Sequence, residues 1–487
     1  MIRLALFVTP AKAGAQKRRW MPAPELLSKG AGMTMAALIA IFALVAFTNL
    51  ACAAEAVILS DIHFNPLADK ALAEELAAAP VKQWATILDR GRERISIYGE
   101  DSDWKLVRTA LAAMKQQAKP DFVLIPGDFV VHNFRDVFNA SVAEHSNAAY
   151  RRFVAKTIRF LALQLEATFP QTPIMPALGN NDSDCGDYAV QPGGSFLADT
   201  RNSIADLIGT DADDGFAKSW DGLGNYAVTN PALPDETVIA VNTNFFSPHY
   251  RDSCGSAGDG NPARATIAWL RRTLAATAAA HRKAILIYHI PPGADAYGTA
   301  RKTSCPITPV PMLAEPYAGE LHDLMLRYRD TIVADIAGHL HTDAFRILRD
   351  HDTPFGFVMI VPGISPIFGQ NPSFRRAHFA ADGTIADTTV FYLANLLQVA
   401  AGGRPQWQPE ASFDHAWSVP RYDAASLDTL FRRIGTEPEL HDRWTESYGV
   451  QGPAGAAITP ETFATYRCSV GSDRVGDVAR CLCGGTP

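Results

Sequence analysis

Short apolar runs alternate with longer amphipathic stretches along most of the chain. Five mostly apolar runs of five or six residues are typical of buried β-strands, and they cover residues 56–60, 122–126, 173–178, 284–288 and 332–337. Residues 103–118, 148–169 and 262–282 carry apolar side chains at helical spacing instead. Because strands and helices alternate in this way, the pattern predicts an α/β fold over residues 57–392.

The segments between these elements differ in composition. Residues 184–221 and 247–261 are rich in glycine, aspartate and serine, which predicts surface loops. Residues 297–316 contain proline and cysteine and are expected to form a loop over the ends of the strands. After the break Gly402-Gly403-Arg404-Pro405, spaced aromatic residues predict a small, mostly helical C-terminal subdomain; they are Trp407, Trp417, Phe431 and Trp444.

The first 53 residues have the organisation of a secretory signal peptide. Lys29 precedes a nearly unbroken apolar stretch over residues 35–50, and Ala51-Cys52-Ala53 offers a small-residue cleavage site. The stretch is shorter than the roughly 20 residues that span a bilayer, so a cleaved signal is favoured over an anchor or a core helix. Translation starting at Met33 or Met35 is also favoured, because the residues before them do not fit a signal peptide.

Charge and composition limit the classes of function. The chain of 487 residues is 47% hydrophobic and 20% charged, which suits a globular protein with a large core. Loss of residues 1–53 removes six basic residues and one acidic residue, and this takes the formal net charge from −7 to −12. Such a surface repels polyanions at long range, and no Lys/Arg-rich run follows residue 53, so no nucleic-acid partner is predicted.

Cysteine usage agrees with export. Six cysteines remain after residue 53, and an even number in an exported chain indicates disulfides, with fifteen pairings open. A Cys254–Cys305 bond would brace the loops near His289. Cys468 paired with Cys481 or Cys483 would tie down the tail.

Side chains that bind metals follow each of the five apolar runs. The motifs are Asp61-Ile62-His63, Gly127-Asp128, Gly179-Asn180-Asn181-Asp182, His289 and Gly338-His339-Leu340-His341. Taken singly, an aspartate after glycine is usually a turn and a lone histidine is usually packed or exposed. Because strand ends converge at one edge in α/β proteins, the set predicts a dinuclear metal site. Its ligands are Asp61, His63, Asp128, Asn180, His289, His339 and His341.

The order of these motifs resembles the calcineurin-like metallophosphoesterase superfamily. His289-Ile290-Pro291-Pro292-Gly293, Asn242-Thr243-Asn244 and the His132-Asn133 pair that follows Gly127-Asp128 are similar to its acid sphingomyelinase-like phosphodiesterase branch. The resemblance runs from about Val57 to the C-terminus. It implies a four-layer αββα sandwich of two mixed sheets flanked by helices, with a catalytic domain at 54–400 and a C-terminal subdomain with disulfides at 401–487.

The same resemblance implies a chemistry. Asp61, His63, Asp128 and His341 would hold one divalent ion, and Asp128, Asn180, His289 and His339 the other; zinc is favoured, with manganese or iron as alternatives. A metal-bridging hydroxide would attack a phosphodiester or phosphomonoester. The substrate would be a phosphorylated small molecule or a lipid head group, with membrane contact only through a lipid substrate, and the enzyme would be secreted or periplasmic.

Two further residues bear on catalysis. By resemblance, His132 lies beside the metals and binds phosphate or protonates the leaving group, and this interpretation is favoured over that of a loop histidine which caps nearby backbone. Asn181 departs from the G-N-H-[DE] pattern of most relatives, in which the histidine helps the transition state. The other eight histidines, His249 and His322 among them, are interpreted as structural or exposed.

Asn181 leaves the substrate open. Asparagine cannot donate a proton at a useful pKa, and an alcohol leaving group needs one, whereas a phosphoanhydride does not. G-N-N-D resembles endopolyphosphatase relatives, so hydrolysis of polyphosphate or nucleotide anhydrides is one alternative, unless His132 supplies the proton. An inactive metal-binding interaction protein is an alternative of another class, which the complete ligand set disfavours.

Overall fold

The structure is a computed structural model and describes residues 52–91, 94–209, 214–251, 261–302 and 305–484. The predicted signal peptide lies outside the described residues except for its last two positions, which open the first strand. No helix within these ranges combines the length and the apolar character needed to cross a bilayer.

The described strands form two large sheets and one small one. They are β1 (Cys52–Ile58), β2 (Phe122–Ile125), β3 (Ile174–Pro176), β4 (Tyr226–Asn230), β5 (Leu233–Val241), β6 (Lys283–Tyr288), β7 (Ala294–Asp295), β8 (Val310–Pro311), β9 (Ile332–Ala337), β10 (Ala344–Asp350), β11 (Thr353–Ile360), β12 (Ser373–Ala380), β13 (Ile385–Leu393) and β14 (Trp407–Pro409). The first sheet has the order β14-β13-β12-β1-β2-β3, the second β10-β11-β9-β6-β5-β4, and β7 pairs with β8. Both large sheets mix parallel and antiparallel pairs. In the first sheet β1-β2-β3 run parallel up to one edge and β12–β14 are antiparallel; in the second, β5-β6-β9-β11 run parallel between the antiparallel edge strands β4 and β10.

Helices flank the sheets and form most of the C-terminal region. They are α1 (Ala73–Ala78), α2 (Trp84–Leu88), α3 (Trp104–Gln117), α4 (Phe134–Asn139), α5 (Asn147–Thr168), α6 (Ser195–Ile208), α7 (Asp214–Leu223), α8 (Pro262–Ala279), α9 (Ala296–Thr299), α10 (Tyr317–Arg327), α11 (Leu396–Ala400), α12 (Phe413–Trp417), α13 (Ala424–Ile434), α14 (Pro438–Tyr448), α15 (Phe463–Val470) and α16 (Val475–Leu482). The two mixed sheets flanked by helices confirm the predicted fold class.

The local predictions are confirmed wherever apolar spacing is clear. All five apolar runs are strands, and the three amphipathic stretches are α3, α5 and α8. Asp103 caps α3, because its carboxylate accepts a hydrogen bond from the Leu106 N–H at 2.8 Å.

The loop prediction for residues 184–221 is wrong, because α6 and part of α7 lie there. Phe196, Leu197, Ile204 and Leu207 are buried on α6 at helical spacing, a pattern masked by the polar composition of the segment. Of the other predicted loop, residues 252–260 lie outside the described residues.

The C-terminal region begins inside the first sheet. Phe391 of β13 pairs with Pro409 of β14, so the sheet continues past residue 401 before α12–α16 follow. The division at residue 400 stays a prediction, and the described residues all belong to one compact unit.

One predicted disulfide pairing is wrong. Cys305 is bonded to Cys483 and not to Cys254, which ties the segment between α9 and β8 to the end of α16. Cys468 is bonded to Cys481, one of the two pairings expected for the tail. Packing of Cys468 and Val478 against Ala294 brings the last helix to the α9 segment, which sequence spacing does not reveal.

Candidate metal centre

The seven predicted ligands lie together at the carboxyl ends of β1, β2, β3, β6 and β9. Hydrogen bonds between the strand ends align the segments: the Asp61 N–H donates to the Gly127 carbonyl oxygen at 3.1 Å, and the His63 N–H to that of Asp128 at 3.0 Å. The His339 N–H donates to the Asp61 carboxylate at 3.1 Å, which joins the last motif to the first.

Backbone strain is concentrated at this centre. Five of the seven residues have positive φ, namely Asp61 (49°), His63 (42°), Asp128 (58°), His339 (73°) and His341 (58°). A residue other than glycine in this conformation costs about 1–3 kcal/mol, and such strain clusters at functional sites. The surrounding hydrogen bonds therefore hold the ligands in a geometry that the free chain would avoid.

Two glycines let the strand ends approach closely. A Cβ on Gly179 would lie 2.0 Å from Asp128 Oδ1, and a Cβ on Gly338 would lie 2.1 Å from Ser60 Oγ and 2.8 Å from Asp61 Oδ2. No side chain fits at either position, so the motifs G-N-N-D and G-H-L-H need glycine for space.

His289 presents its inner ring nitrogen to two acceptors. Its Nδ1 lies 3.0 Å from the Pro126 carbonyl oxygen, which can only accept, so Nδ1 carries a proton and Nε2 is the nitrogen left for a cation. Nε2 lies 3.0 Å from Asn180 Oδ1 and 3.1 Å from Asp128 Oδ2. These three atoms require a positive charge between them, which either a proton on Nε2 or a bound metal ion supplies.

His63 repeats this arrangement on the other side of Asp128. Its Nδ1 lies 3.2 Å from the Val130 carbonyl oxygen, and its Nε2 lies 3.1 Å from His341 Nε2 and 3.4 Å from Asp128 Oδ2. Backbone carbonyls that hold the outer nitrogen of a histidine are the usual means of orienting metal ligands.

Asn181 orients the amide ligand. Asn180 Nδ2 donates to Asn181 Oδ1 at 2.6 Å, which turns Asn180 Oδ1 towards His289. The Asn181 N–H donates to Asp128 Oδ1 at 2.8 Å, leaving Asp128 Oδ2 between His63 and His289.

The buried carboxylates demand positive charge. Burial opposes ionisation of Asp61, yet the neighbouring histidines His341, His63 and His289 hold its pKa well below the usual range. Burial likewise opposes a proton on His63, but the charges of Asp128 and Asp61 raise its pKa to about 9. Burial lowers the pKa of His341 to about 4, so this ring stays neutral and ready to bind metal.

The donor set therefore fits two divalent cations. One cluster of potential ligand atoms comprises Asp61, His63 and Asp128, and another comprises Asp128, His289 and His339. Asp128 belongs to both, as a bridging ligand would. Carboxylate, imidazole and amide donors suit zinc, manganese or iron.

Asp182 supports this centre from below, a role that was not predicted from the sequence. Its buried carboxylate accepts hydrogen bonds from the backbone N–H groups of Gly179 (2.8 Å), Phe129 (2.8 Å), Asp128 (3.0 Å) and Val130 (3.3 Å). Burial and the Asp128 charge raise the pKa of Asp182 to about 6. Asp182 thus joins the second and third ligand motifs. Its position as the last residue of G-N-N-D was the feature of the sequence that could have indicated this role.

His132 lies beside the metal ligands. Its ring stacks on that of His63 with centroids 3.9 Å apart, and its Nδ1 lies 3.0 Å from Asp101 Oδ1. Asp101 also accepts from Ser365 Oγ at 3.1 Å. Because Asp101 holds Nδ1, Nε2 is the ring nitrogen left for a substrate. Asp101 was not predicted, and no motif marks it.

A cavity of about 690 Å³ opens above the centre. Asp128, His132, Asn180, His339 and His341 form part of its wall, while Asp61, His63 and His289 are fully buried beneath. Its size is that of a small-molecule site.

The rest of the wall comes from three parts of the chain. His249, which was interpreted as structural or exposed, is exposed and also lines the cavity. Tyr297 and the segment Val310–Pro311 also line it, as expected for residues 297–316. Tyr448 and Tyr466 contribute from α14 and α15.

Comparison with known proteins agrees with this geometry. A profile of the family described as "Calcineurin-like phosphoesterase" matches residues 56–343. The chain is 26% identical to acid sphingomyelinase-like phosphodiesterase 3b of Mus musculus over 71% of its own length and 72% of the relative. It is 25% identical to the cyclic GMP-AMP phosphodiesterase SMPDL3A of Rattus norvegicus, over 69% and 71%. A dimetal phosphatase structure from Danio rerio is similar with a TM-score of 0.38 and 12% identity, over 69% of this chain and 94% of that one.

Proposed function

The chain belongs to the calcineurin-like phosphoesterase family and is a metal-dependent phosphoester hydrolase, and from this premise we propose that it cleaves a phosphodiester or phosphomonoester of the acid sphingomyelinase-like kind. The observation that carries the proposal is the set of facing acceptors around Asp128 at the floor of a cavity of substrate size. The substrate is a phosphorylated small molecule or a lipid head group, and a lipid would bring the enzyme to a membrane.

We assign one ion to Asp61, His63, Asp128 and His341 and the other to Asp128, Asn180, His289 and His339. When bound, two such ions supply a water of lowered pKa and positive charge for the phosphoryl oxygens. The chain supplies the geometry: Asp182 and Asn181 hold Asp128 and Asn180, and backbone carbonyls hold His63 and His289.

His132 is the proposed proton donor to the leaving group. It lines the cavity, and Asp101 binds its Nδ1, so a proton on Nε2 would face the substrate. Asn181 of the G-N-N-D motif also lies beside Asp128, but its amide has no acidic proton to give to a leaving group. His132 is therefore the residue that would allow an alcohol to leave.

Hydrolysis of a phosphoanhydride is the second candidate, and Asn181 is the observation that favours it. A phosphate leaving group needs no proton from an acid, so a site with asparagine at position 181 instead of histidine can still cleave an anhydride. The two carboxylates of the cavity wall, Asp187 and Asp295, argue against this candidate.

The test is a turnover screen of the full chain after loading with zinc, manganese or iron. It should include a choline phosphodiester, a phosphomonoester, a nucleoside triphosphate and polyphosphate, with elemental analysis of the loaded protein. We expect two ions per chain and turnover of esters. Asp128→Ala should weaken both sites and lower turnover by more than about 100-fold, since even loss of an outer partner costs 10–100-fold. One ion or none, or no turnover of any substrate by the loaded protein, would refute the proposal.

We also propose that the enzyme is exported, as a secreted or periplasmic protein, with its mature chain starting near Ala54. The two disulfides between Cys305, Cys483, Cys468 and Cys481 support an oxidising compartment. N-terminal sequencing of material recovered outside the cytoplasm tests this, and an intact Met1 or Met33 there would contradict it.

A further inference from the structure

The cavity above the metal centre is poor in positive charge. Beyond the metal ligands, its described lining includes two carboxylates, Asp187 and Asp295, and neither lysine nor arginine. The positive charge that a substrate meets here therefore comes from the metal ions at the floor and from His132 when it carries the proton for the leaving group.

Two arginines near the rim have other partners. Arg251 Nη2 donates to the backbone carbonyl oxygen of Asp187 at 3.1 Å. Arg301 lies over the ring of Tyr297, with its guanidinium carbon 4.4 Å from the ring centre. Neither arginine lines the cavity.

Asp295 is the carboxylate for which the described residues offer no salt bridge or side-chain hydrogen bond. The buried Arg346 interacts with its charge but donates to the Ala294 carbonyl oxygen at 3.2 Å and does not line the cavity, whereas Asp187 accepts from the Asn133 N–H at 3.1 Å. Gly298 leaves room for the Asp295 carboxylate, because a Cβ there would lie 2.4 Å from Asp295 Oδ2. The Asp295 charge is thus available to whatever occupies the cavity.

Tyrosines surround this charge. Burial, together with negative neighbours that include Asp295, raises the pKa of Tyr188, Tyr448 and Tyr466. All three line the cavity, as do the exposed rings of Tyr297 and Phe368. Aromatic faces attract cations and pack against neutral groups.

We propose that Asp295 makes this cavity a charge filter, which accepts a phosphoester whose remaining part is neutral or positively charged and disfavours substrates with additional phosphate groups. The inference rests on the proposed function, since the reacting phosphate must sit at the metal centre. The ions neutralise that one phosphate, and a second would then lie near Asp295, where the described lining has no lysine or arginine to bind it. Polyphosphate and nucleoside triphosphates are the substrates that this filter disfavours.

Three p-nitrophenyl phosphodiesters test the filter with matched chemistry. The second ester group is choline, thymidine, or thymidine carrying a 3′-phosphate, so it is cationic, neutral or anionic, while the leaving group is always p-nitrophenolate. For the metal-loaded full chain we expect kcat/KM to fall in that order.

The variant Asp295→Asn should reduce the differences in kcat/KM among the three substrates. Its kcat/KM for the 3′-phosphate substrate, relative to thymidine, should rise roughly tenfold, the size expected for unit charges about 10 Å apart in a partly screened site. Its kcat/KM for the choline substrate should fall. Asp442→Asn, an exposed carboxylate on α14 outside the cavity, is the matched control and should keep the wild-type order.

A measurement on the wild type alone covers the case in which Asp295→Asn does not fold. Added salt screens exposed charges, so it should raise kcat/KM for the 3′-phosphate substrate relative to thymidine. Equal rates across the three substrates, or equal effects of salt on all three, would overturn the charge filter and leave the proposed function standing. Absence of turnover with all three would sink the proposed function itself.

Discussion

The imidazole rings of His63 and His132 are stacked, with centroids 3.9 Å apart and planes 14° apart. His63 faces Asp128 and His341 as a proposed metal ligand, while His132 is held by Asp101 at 3.0 Å. The stack therefore places a proton-carrying ring directly against the proposed metal centre, on the side that opens into the cavity. From this relationship follows the first prediction.

His132→Ala should slow alkyl phosphodiesters by about 10²–10⁴-fold, because an alcohol leaves only with a proton. Activated p-nitrophenyl esters should lose less than about tenfold, since their leaving group needs no acid. Steady-state kinetics on matched alkyl and aryl esters measure the difference. Asp101→Asn keeps the ring and should give a smaller loss in the same direction. A loss of equal size for both esters would mean that His132 orients phosphate instead.

Asn181→His restores the residue found in most relatives and should raise the turnover of alkyl esters if the site lacks a donor. Asn181→Ala is the matched control, because it removes only the acceptor that holds the Asn180 amide at 2.6 Å. It should weaken metal binding by about 10–100-fold, as loss of an outer partner does. If the wild type already prefers alkyl phosphodiesters to anhydrides and Asn181→His slows them, the argument from Asn181 to anhydride chemistry is wrong.

Asp182→Asn should destabilise the fold around the site. Each carboxylate oxygen of Asp182 accepts hydrogen bonds from two backbone N–H groups. The asparagine side chain has only one such oxygen, so two of these hydrogen bonds remain. Its NH₂ group is itself a donor, so the other two N–H groups lose their acceptor. We expect the free energy of unfolding to fall by about 2–4 kcal/mol, measured by urea denaturation in the presence of chelator. The exposed change Asp442→Asn should alter it by less than about 0.5 kcal/mol. A similarly small effect at Asp182 would show that this carboxylate does not hold the two motifs together.

Glu236 on β5 should make stability depend on pH. Burial and the charges of Asp235 and Asp382 raise its pKa from 4.5 to about 7. Between these values the unfolded chain has released the proton that the folded chain still holds, so the folded state loses stability as pH rises through this window. Above pH 7 the penalty is complete.

Glu236→Gln removes that penalty. It should raise the free energy of unfolding by about 1–2 kcal/mol at pH 8 and leave it nearly unchanged at pH 4. Thermal or urea unfolding at the two pH values measures this, with the exposed Glu439→Gln on α14 as the control. A gain of the same size at both pH values would contradict the raised pKa.

The sequence by itself determined the strands that carry the site and the candidate metal ligands at their ends. Apolar runs of five or six residues specify strands, and a ligand placed just after each one must come to the sheet edge where those strands end, as Asp61, Asp128 and His339 do. This inference needs only local spacing and the general geometry of α/β folds.

Only the tertiary structure decided which residues surround those ligands. Asp101 meets His132 from 31 residues away, and Cys305 meets Cys483 across 178 residues. Tyr188 and Asp295 share a cavity although one lies in a turn and the other in β7. Such contacts depend on how loops and the C-terminal helices pack. Packing is set by the summed fit of many side chains, which a periodic pattern of apolar residues does not encode. The charge of the cavity, and with it the proposed choice of substrate, therefore became visible only in the folded chain.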